Sequence, residues 1–255
     1  MSRVLLFSLT AVCAWAQGPP TDPPPIVELV RKPGFAAGSI RPYIDARANV
    51  DVVGMTSVTG LPETWLLESH YSYASVEDTD RALDAVGAFG SVTPGPAGQD
   101  DVLAPAHTML LRYQPSLSYR PDQAIRLFPR ARYFHVTIYR VNGGSDADFA
   151  RLVTLRRASL DSVNLDRPDI AYEVISGAPS GTYMFFSPVP TLRALDDGVP
   201  NTPVYAERLA EERAKAKATT APSDVSREHM MLRVEPRLSF VSDAWASVDR
   251  EFWRR

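Results

Sequence analysis

One series of segments occurs twice, in the same order, in this chain of 255 residues, and that repetition narrows the possible folds more than any composition figure does. Val58-Thr59-Gly60-Leu61-Pro62 returns as Ile175-Ser176-Gly177-Ala178-Pro179, and Thr64-Trp65-Leu66-Leu67 as Thr182-Tyr183-Met184-Phe185. Arg81-Ala82-Leu83-Asp84 returns as Arg193-Ala194-Leu195-Asp196. The run Met109 to Tyr119 (MLLRYQPSLSY) returns as Met230 to Phe240 (MMLRVEPRLSF), with His107 set against His229. Matches in one order, at offsets of 112 to 122 residues, predict a duplicated unit.

Each copy reads as βαββαβ. In the second, Tyr133 to Val141 alternates as a strand, Gly143-Gly144 turns the chain, and Ser145 with Asp148 has the spacing of a capping box. Phe149, Leu152, Val153 and Leu160 then share one helix face. Ala171 to Ser176 and Thr182 to Ser187 form a hairpin about the Gly177 to Gly181 turn. A helix over Pro203 to Ala218 and a fourth strand from Met230 to Val234 complete the copy. The first copy follows the same plan, with strands over Ile26 to Arg31, Met55 to Gly60 and Thr64 to Tyr73. Its first helix, Phe35 to Ala48, is interrupted by Gly38 and Pro42, a second covers Val76 to Val86, and a Gly/Pro-rich loop runs from Gly87 to Ala106. Short helices follow each fourth strand at Asp122 and Asp243.

The start of the chain has the grammar of a secretory signal. Arg3 is followed by an apolar run from Val4 to Trp15, and Ala14-Trp15-Ala16 supplies the small-x-small cleavage pattern. The divisions are therefore a signal over 1-16, a proline-rich linker over 17-25, and two modules over 26-128 and 129-255. Export to the periplasm or the extracellular space follows, and Cys13, the single cysteine, leaves with the signal. The remainder has no thiol for disulfides, thiolate metal sites or nucleophiles, so its stability rests on a core that 45% apolar residues can supply. Without Arg3 it carries 26 basic against 30 acidic side chains and no basic stripe, which speaks against nucleic acid as a partner. No later apolar run has the length of a membrane span.

The VTGLP/ISGAP pair and the strand-plus-RALD stretch, set in a repeated βαββαβ order over nearly the whole chain, resemble the ferredoxin-like dimeric α+β barrel superfamily, and within it the NIPSNAP and stress-responsive branch. The superfamily also includes antibiotic-biosynthesis monooxygenases and, as tandem fusions, chlorite dismutases and dye-decolourising peroxidases. The resemblance implies an α+β fold in which two tandem modules form an intramolecular pseudo-dimeric barrel, two four-stranded sheets facing each other with helices outside. The chain would then be a monomer, its two sheets already partnered. The resemblance implies no single function, because this fold hosts many.

No G-x-S-x-G, H-E-x-x-H, P-loop or dinucleotide fingerprint is present, so catalytic residues stay unassigned and no metal site is predicted. With helices over the apolar face, alternation places Phe134, Val136 and Ile138 beneath them and Tyr133, His135, Thr137 and Tyr139 toward the barrel interior, with Glu28 facing them from the first copy. Such a polar and aromatic lining suits a cavity for a small, partly apolar organic ligand, covered by the 87–106 loop. A ligand-binding protein is thus the leading reading. An oxidative enzyme, cofactor-free or haem-dependent, is the alternative, and a noncatalytic interaction protein the third. No cofactor is predicted outright. The dismutase and peroxidase relatives hold haem through a histidine of the second copy, yet the helices drawn there contain none, which leaves His135 and His229 on strands. Glu68 and His70 share a strand face, as an acid/base pair or, the favoured reading, at the rim of the cleft, while His107 and His229 are expected at equivalent strand starts with a structural role.

Overall fold

The computed structural model describes residues 19–33, 50–60, 62–85, 107–198, 202–215 and 225–254. The candidate signal, the Phe35 to Ala48 helix and the 87–106 loop lie outside the described residues. In chain order the elements are β1 (Ile26–Pro33), β2 (Val52–Ser57), β3 (Glu63–His70), α1 (Tyr73–Ala85), β4 (His107–Tyr113) and α2 (Pro121–Leu127) in the first half. The second half has β5 (Tyr133–Val141), α3 (Asp146–Ser162), β6 (Ile170–Ser176), β7 (Thr182–Val189), α4 (Thr202–Lys215), β8 (Val225–Val234), α5 (Asp243–Ser247) and α6 (Arg250–Trp253).

The eight strands close into one antiparallel barrel in the order β1-β3-β2-β8-β5-β7-β6-β4. Within it β4-β1-β3-β2 and β8-β5-β7-β6 repeat one order, and the two groups join at β2 with β8 and at β4 with β6. The joints are reciprocal beyond the strands. Tyr119 of the first half bridges Asp169 of the second, and Phe240 of the second bridges Val52 of the first. The VTGLP and ISGAP segments both fall at the hairpin between the second and third strands of their halves.

The strand faces are the reverse of the sequence expectation. Val27, Leu29, Trp65, Leu67, Met109, Leu111, Phe134, Val136, Ile138, Met184, Phe186 and Leu232 belong to one buried cluster fed by all eight strands, which is the barrel interior. An eight-stranded barrel is just wide enough for side chains to fill, so closure draws the apolar face of every strand inward. Trp245, Phe252 and Trp253 of the C-terminal helices pack into the same cluster. Among the described residues this interior is packed with apolar side chains where a ligand space between the sheets is expected from the sequence, and Tyr133, His135, Thr137, Tyr139 and Glu28 stand on the outer strand faces. Among the described residues no helix is long and apolar enough to cross a membrane.

α3 places Phe149, Val153 and Leu160 on its buried side, as the periodicity predicts. Its start differs from the capping-box reading, since Ser145 makes no side-chain cap bond. Asp146 instead accepts a hydrogen bond from the Tyr183 hydroxyl at 3.1 Å and ties the helix to β7. The remaining strands of the second half are longer than the alternation alone marked, because pairing carries β7 to Val189 and starts β8 at Val225.

Candidate functional site

A cavity of about 650 Å³ lies on the outer face of the second-half sheet, within the range of small-molecule and cofactor sites. Its floor is the outward row of β5 and its neighbours, with His135, Thr137 and Tyr139 from β5, Ser187 from β7, and Arg227, His229 and Met231 from β8. Phe149, Val153 and Leu160 of α3 form one wall, and Tyr205 and Leu209 of α4 another. Three of the predicted site residues, His135, Thr137 and Tyr139, are therefore brought together. Tyr133 shares their strand face but lies beyond the cavity, and Glu28 sits on the outer face of the opposite half.

Strand register fixes the polar centre. Thr137 stands directly opposite His229, and its Oγ1 lies 3.1 Å from His229 Nδ1. His135 stands opposite Met231, one step along the same face, and its ring stacks on His229 with centroids 5.3 Å apart and planes 15° from parallel. His229 is thus a mid-strand cavity residue, not a strand-start partner of His107. His107 does begin β4, and its Nε2 meets the Gly177 carbonyl oxygen at 2.5 Å. Registering MLLR against MMLR sets Thr108, not His107, in the place of His229.

Burial, the neighbouring His229 and then Arg167 and Arg156 push the His135 pKa down to about 4, so at neutral pH the ring is uncharged. Burial also lowers His229, aided by Arg227 and Arg156. A pair of neutral imidazoles offers nitrogen lone pairs that can take a proton or ligate a metal.

The sequence reading missed the arginines. Arg156 lies on the stripe Phe149, Val153, Leu160 at helical spacing, and a cation inside an apolar stripe was the available signal. Its Nη2 donates to Asp169 at 2.6 Å, a buried pair whose carboxylate also receives the backbone N–H of Tyr119 at 3.1 Å. Arg227 is two residues from His229 on the same strand face.

The outer face of the first half has a different centre. Glu28 and Glu68 are cross-strand partners, and with His70 all three are buried, not on the rim of a cleft. His70 Nδ1 lies 3.0 Å from Ser75 Oγ, and His70 Nε2 is 3.9 Å from Glu28 and 4.0 Å from Glu68. Among the described residues this is the one grouping of three whose ligand atoms lie within 4.8 Å of one another.

No family model and no curated protein matches the sequence. Solved structures do. A candidate monooxygenase of Fusobacterium nucleatum superposes with a TM-score of 0.50 at 10% identity, over 83% of this chain and 93% of that one. An anthrone oxidase-like protein does so with a TM-score of 0.51 at 9% identity, over 82% and 91%. A candidate chlorite dismutase is similar at 0.45 and 12%, over 87% and 96%. These neighbours are of the dimeric α+β barrel type, and at such identities the likeness is one of fold.

Proposed function

We infer that this protein is an oxidative enzyme of the dimeric-barrel type, which holds a flat, partly apolar organic substrate in the cavity on its second sheet. The stacked, uncharged pair His135 and His229, set in the floor of a cavity walled by Phe149, Val153 and Leu160, carries this reading. Phe149, Val153 and the ring of Tyr139 supply surface for an aromatic body, and the imidazoles supply the place for proton transfer. With the Nδ1 proton of His229 donated to Thr137 Oγ1, its Nε2 keeps the lone pair and can accept an acidic substrate proton. The resulting carbanion or phenolate is the electron source for dioxygen. For an activated methylene the sum is R₂CH₂ + O₂ → R₂C=O + H₂O, with one oxygen atom entering the product and the other leaving as water. Two of the similar folds are of proteins named as a candidate monooxygenase and an anthrone oxidase-like protein, which motivates the reaction class.

The test is oxygen uptake by the purified full chain with an anthrone as substrate. One O₂ consumed per quinone formed, reduced at least tenfold in both His135→Ala and His229→Ala, is the expected result. Absence of uptake, or uptake untouched by either change, sinks the reading.

A second reading rests on the same imidazoles. Nitrogen donors on a cavity floor of this size fit haem, with His135 as the residue to hold its iron, and bound haem would supply one-electron and peroxide chemistry. Hemin titration distinguishes the two, since a Soret band absent from His135→Ala would favour haem. The remaining expectations complete the proposal: an exported monomer freed of residues 1–16, whose two halves, with their common strand order and matched turns, descend from one duplicated unit.

A further inference from the structure

The geometry points to an organic anion as the molecule this cavity selects, an aromatic carboxylate or phenolate whose charge is met by Arg167 and Arg227. This rests on the reading of the cavity as a substrate site and adds the class of substrate. A charge inventory of the lining carries it. Arg156 is matched by Asp169 at 2.6 Å, and Asp166, the acidic residue of the lining, is matched by Arg120 at 3.0 Å and by Gln123 at 2.6 Å. Arg167 and Arg227 remain. Neither makes a hydrogen bond or ion pair with another described residue, and both border the cavity beside the imidazole pair.

Their placement brackets that pair. Arg227 projects from β8 on the same face as His229, opposite Tyr139 of β5. Arg167 comes from the connection between α3 and β6, between Asp166 and Pro168, and its charge acts on His135. A flat acid lying over His135 and His229 would therefore have a guanidinium at hand on either side. A guanidinium binds a carboxylate or phenolate through charge-assisted hydrogen bonds. The two imidazoles, neutral near pH 7, leave the reading of charge to the arginines. At the equivalent place on the first sheet Glu28 stands opposite Glu68, and no guanidinium-lined cavity opens there among the cavities described.

Calorimetric titration of the full chain with 2-naphthoate and with 2-naphthamide, one ring system with and without the charge, tests this. The expected result is at least tenfold tighter binding of naphthoate, weakened by added salt, while naphthamide is indifferent to salt. Arg167→Gln with Arg227→Gln should bring the two affinities together at an unchanged melting temperature. Equal binding of both probes to the wild type would overturn anion selection while leaving the cavity in place. A preference that survives the double substitution would overturn the assignment to these arginines. Binding of neither probe would overturn the cavity reading together with this one.

Discussion

Glu28 and His135 hold one position in two halves of one barrel, and the molecule uses it in opposite ways. Ile26 faces His70 and Arg112 across its two neighbouring strands as Tyr133 faces Val189 and Arg233. Two residues on, Glu28 faces Glu68 and Leu110 as His135 faces Ser187 and Met231. In the first half the position is sealed, Glu28 only 5% exposed and Glu68 and His70 wholly buried. In the second half it opens into a cavity of about 650 Å³. A common strand order thus sets where a site can lie, while a handful of side chains decides whether the place is sealed over buried carboxylates and a histidine or opens into a cavity.

The sharpest way to break this comparison is to exchange cost for cost at a matched pair. Glu68→Ala removes a wholly buried member of the Glu28, Glu68 and His70 cluster and should lower unfolding free energy by about 3 kcal/mol. Ser187→Ala, at the corresponding place on the cavity floor, should cost under about 0.5 kcal/mol. Urea unfolding of the two variants measures both, and similar losses would erase the distinction between the faces.

The matched turns give a second contrast. Gly60 and Gly177 both have positive φ, 91° and 85°. A Cβ at Gly177 would stand 2.2 Å from the Thr108 carbonyl oxygen and 2.9 Å from Met109 Cα, whereas at Gly60 the nearest atom is Met230 Cε at 4.0 Å. Gly60→Ala therefore carries only left-handed strain, about 1 kcal/mol, and Gly177→Ala adds a backbone clash at the joint of β4 and β6. Its midpoint of chemical denaturation should fall by at least twice as much.

Acid offers the smallest effect. The His135 pKa in the folded protein, about 4, lies below the 6.5 of an unperturbed ring. Above pH 6.5 both folded and unfolded chains hold the neutral ring and its contribution to stability is complete. As pH falls from 6.5 toward 4 the unfolded chain takes up a proton that the folded one refuses, so stability declines. Between pH 7 and pH 5 the wild type should lose about 1 kcal/mol more than His135→Gln, a figure reduced for a partly exposed ring. Equal losses would show that His135 titrates normally.

Much of this was legible in the sequence because it is written in periodicity. The hairpin about Gly177, the α3 stripe and the two short helices after β4 and β8 all appear where alternation and turn residues put them. What alternation cannot say is which side of a strand is inside. Phe134, Val136 and Ile138 fall beneath the helices only on the premise that helices cover the apolar face of the sheet. Closure of eight strands reverses this, since the narrow interior admits only well-packed apolar side chains. The cavity was invisible for a second reason: its walls come from α3, α4 and the 164–168 connection, segments that meet only in three dimensions. His135, Thr137 and Tyr139 were singled out as residues of one strand face, while Arg167 and Arg227 carry no local signature at all.

The central claim is that one strand position serves stability in the first half and chemistry in the second. Measuring oxygen uptake and melting temperature side by side for Glu28→Ala and His135→Ala tests it most directly. The account predicts that His135→Ala loses at least tenfold in uptake with a melting temperature within about 3 °C of wild type, a shift worth about 1 kcal/mol in a chain of this size. Glu28→Ala should keep its turnover per folded molecule and melt at least about 6 °C lower, as a loss near 3 kcal/mol implies. A His135→Ala protein that melts early but turns over normally, or a Glu28→Ala protein that is stable but inactive, would contradict it.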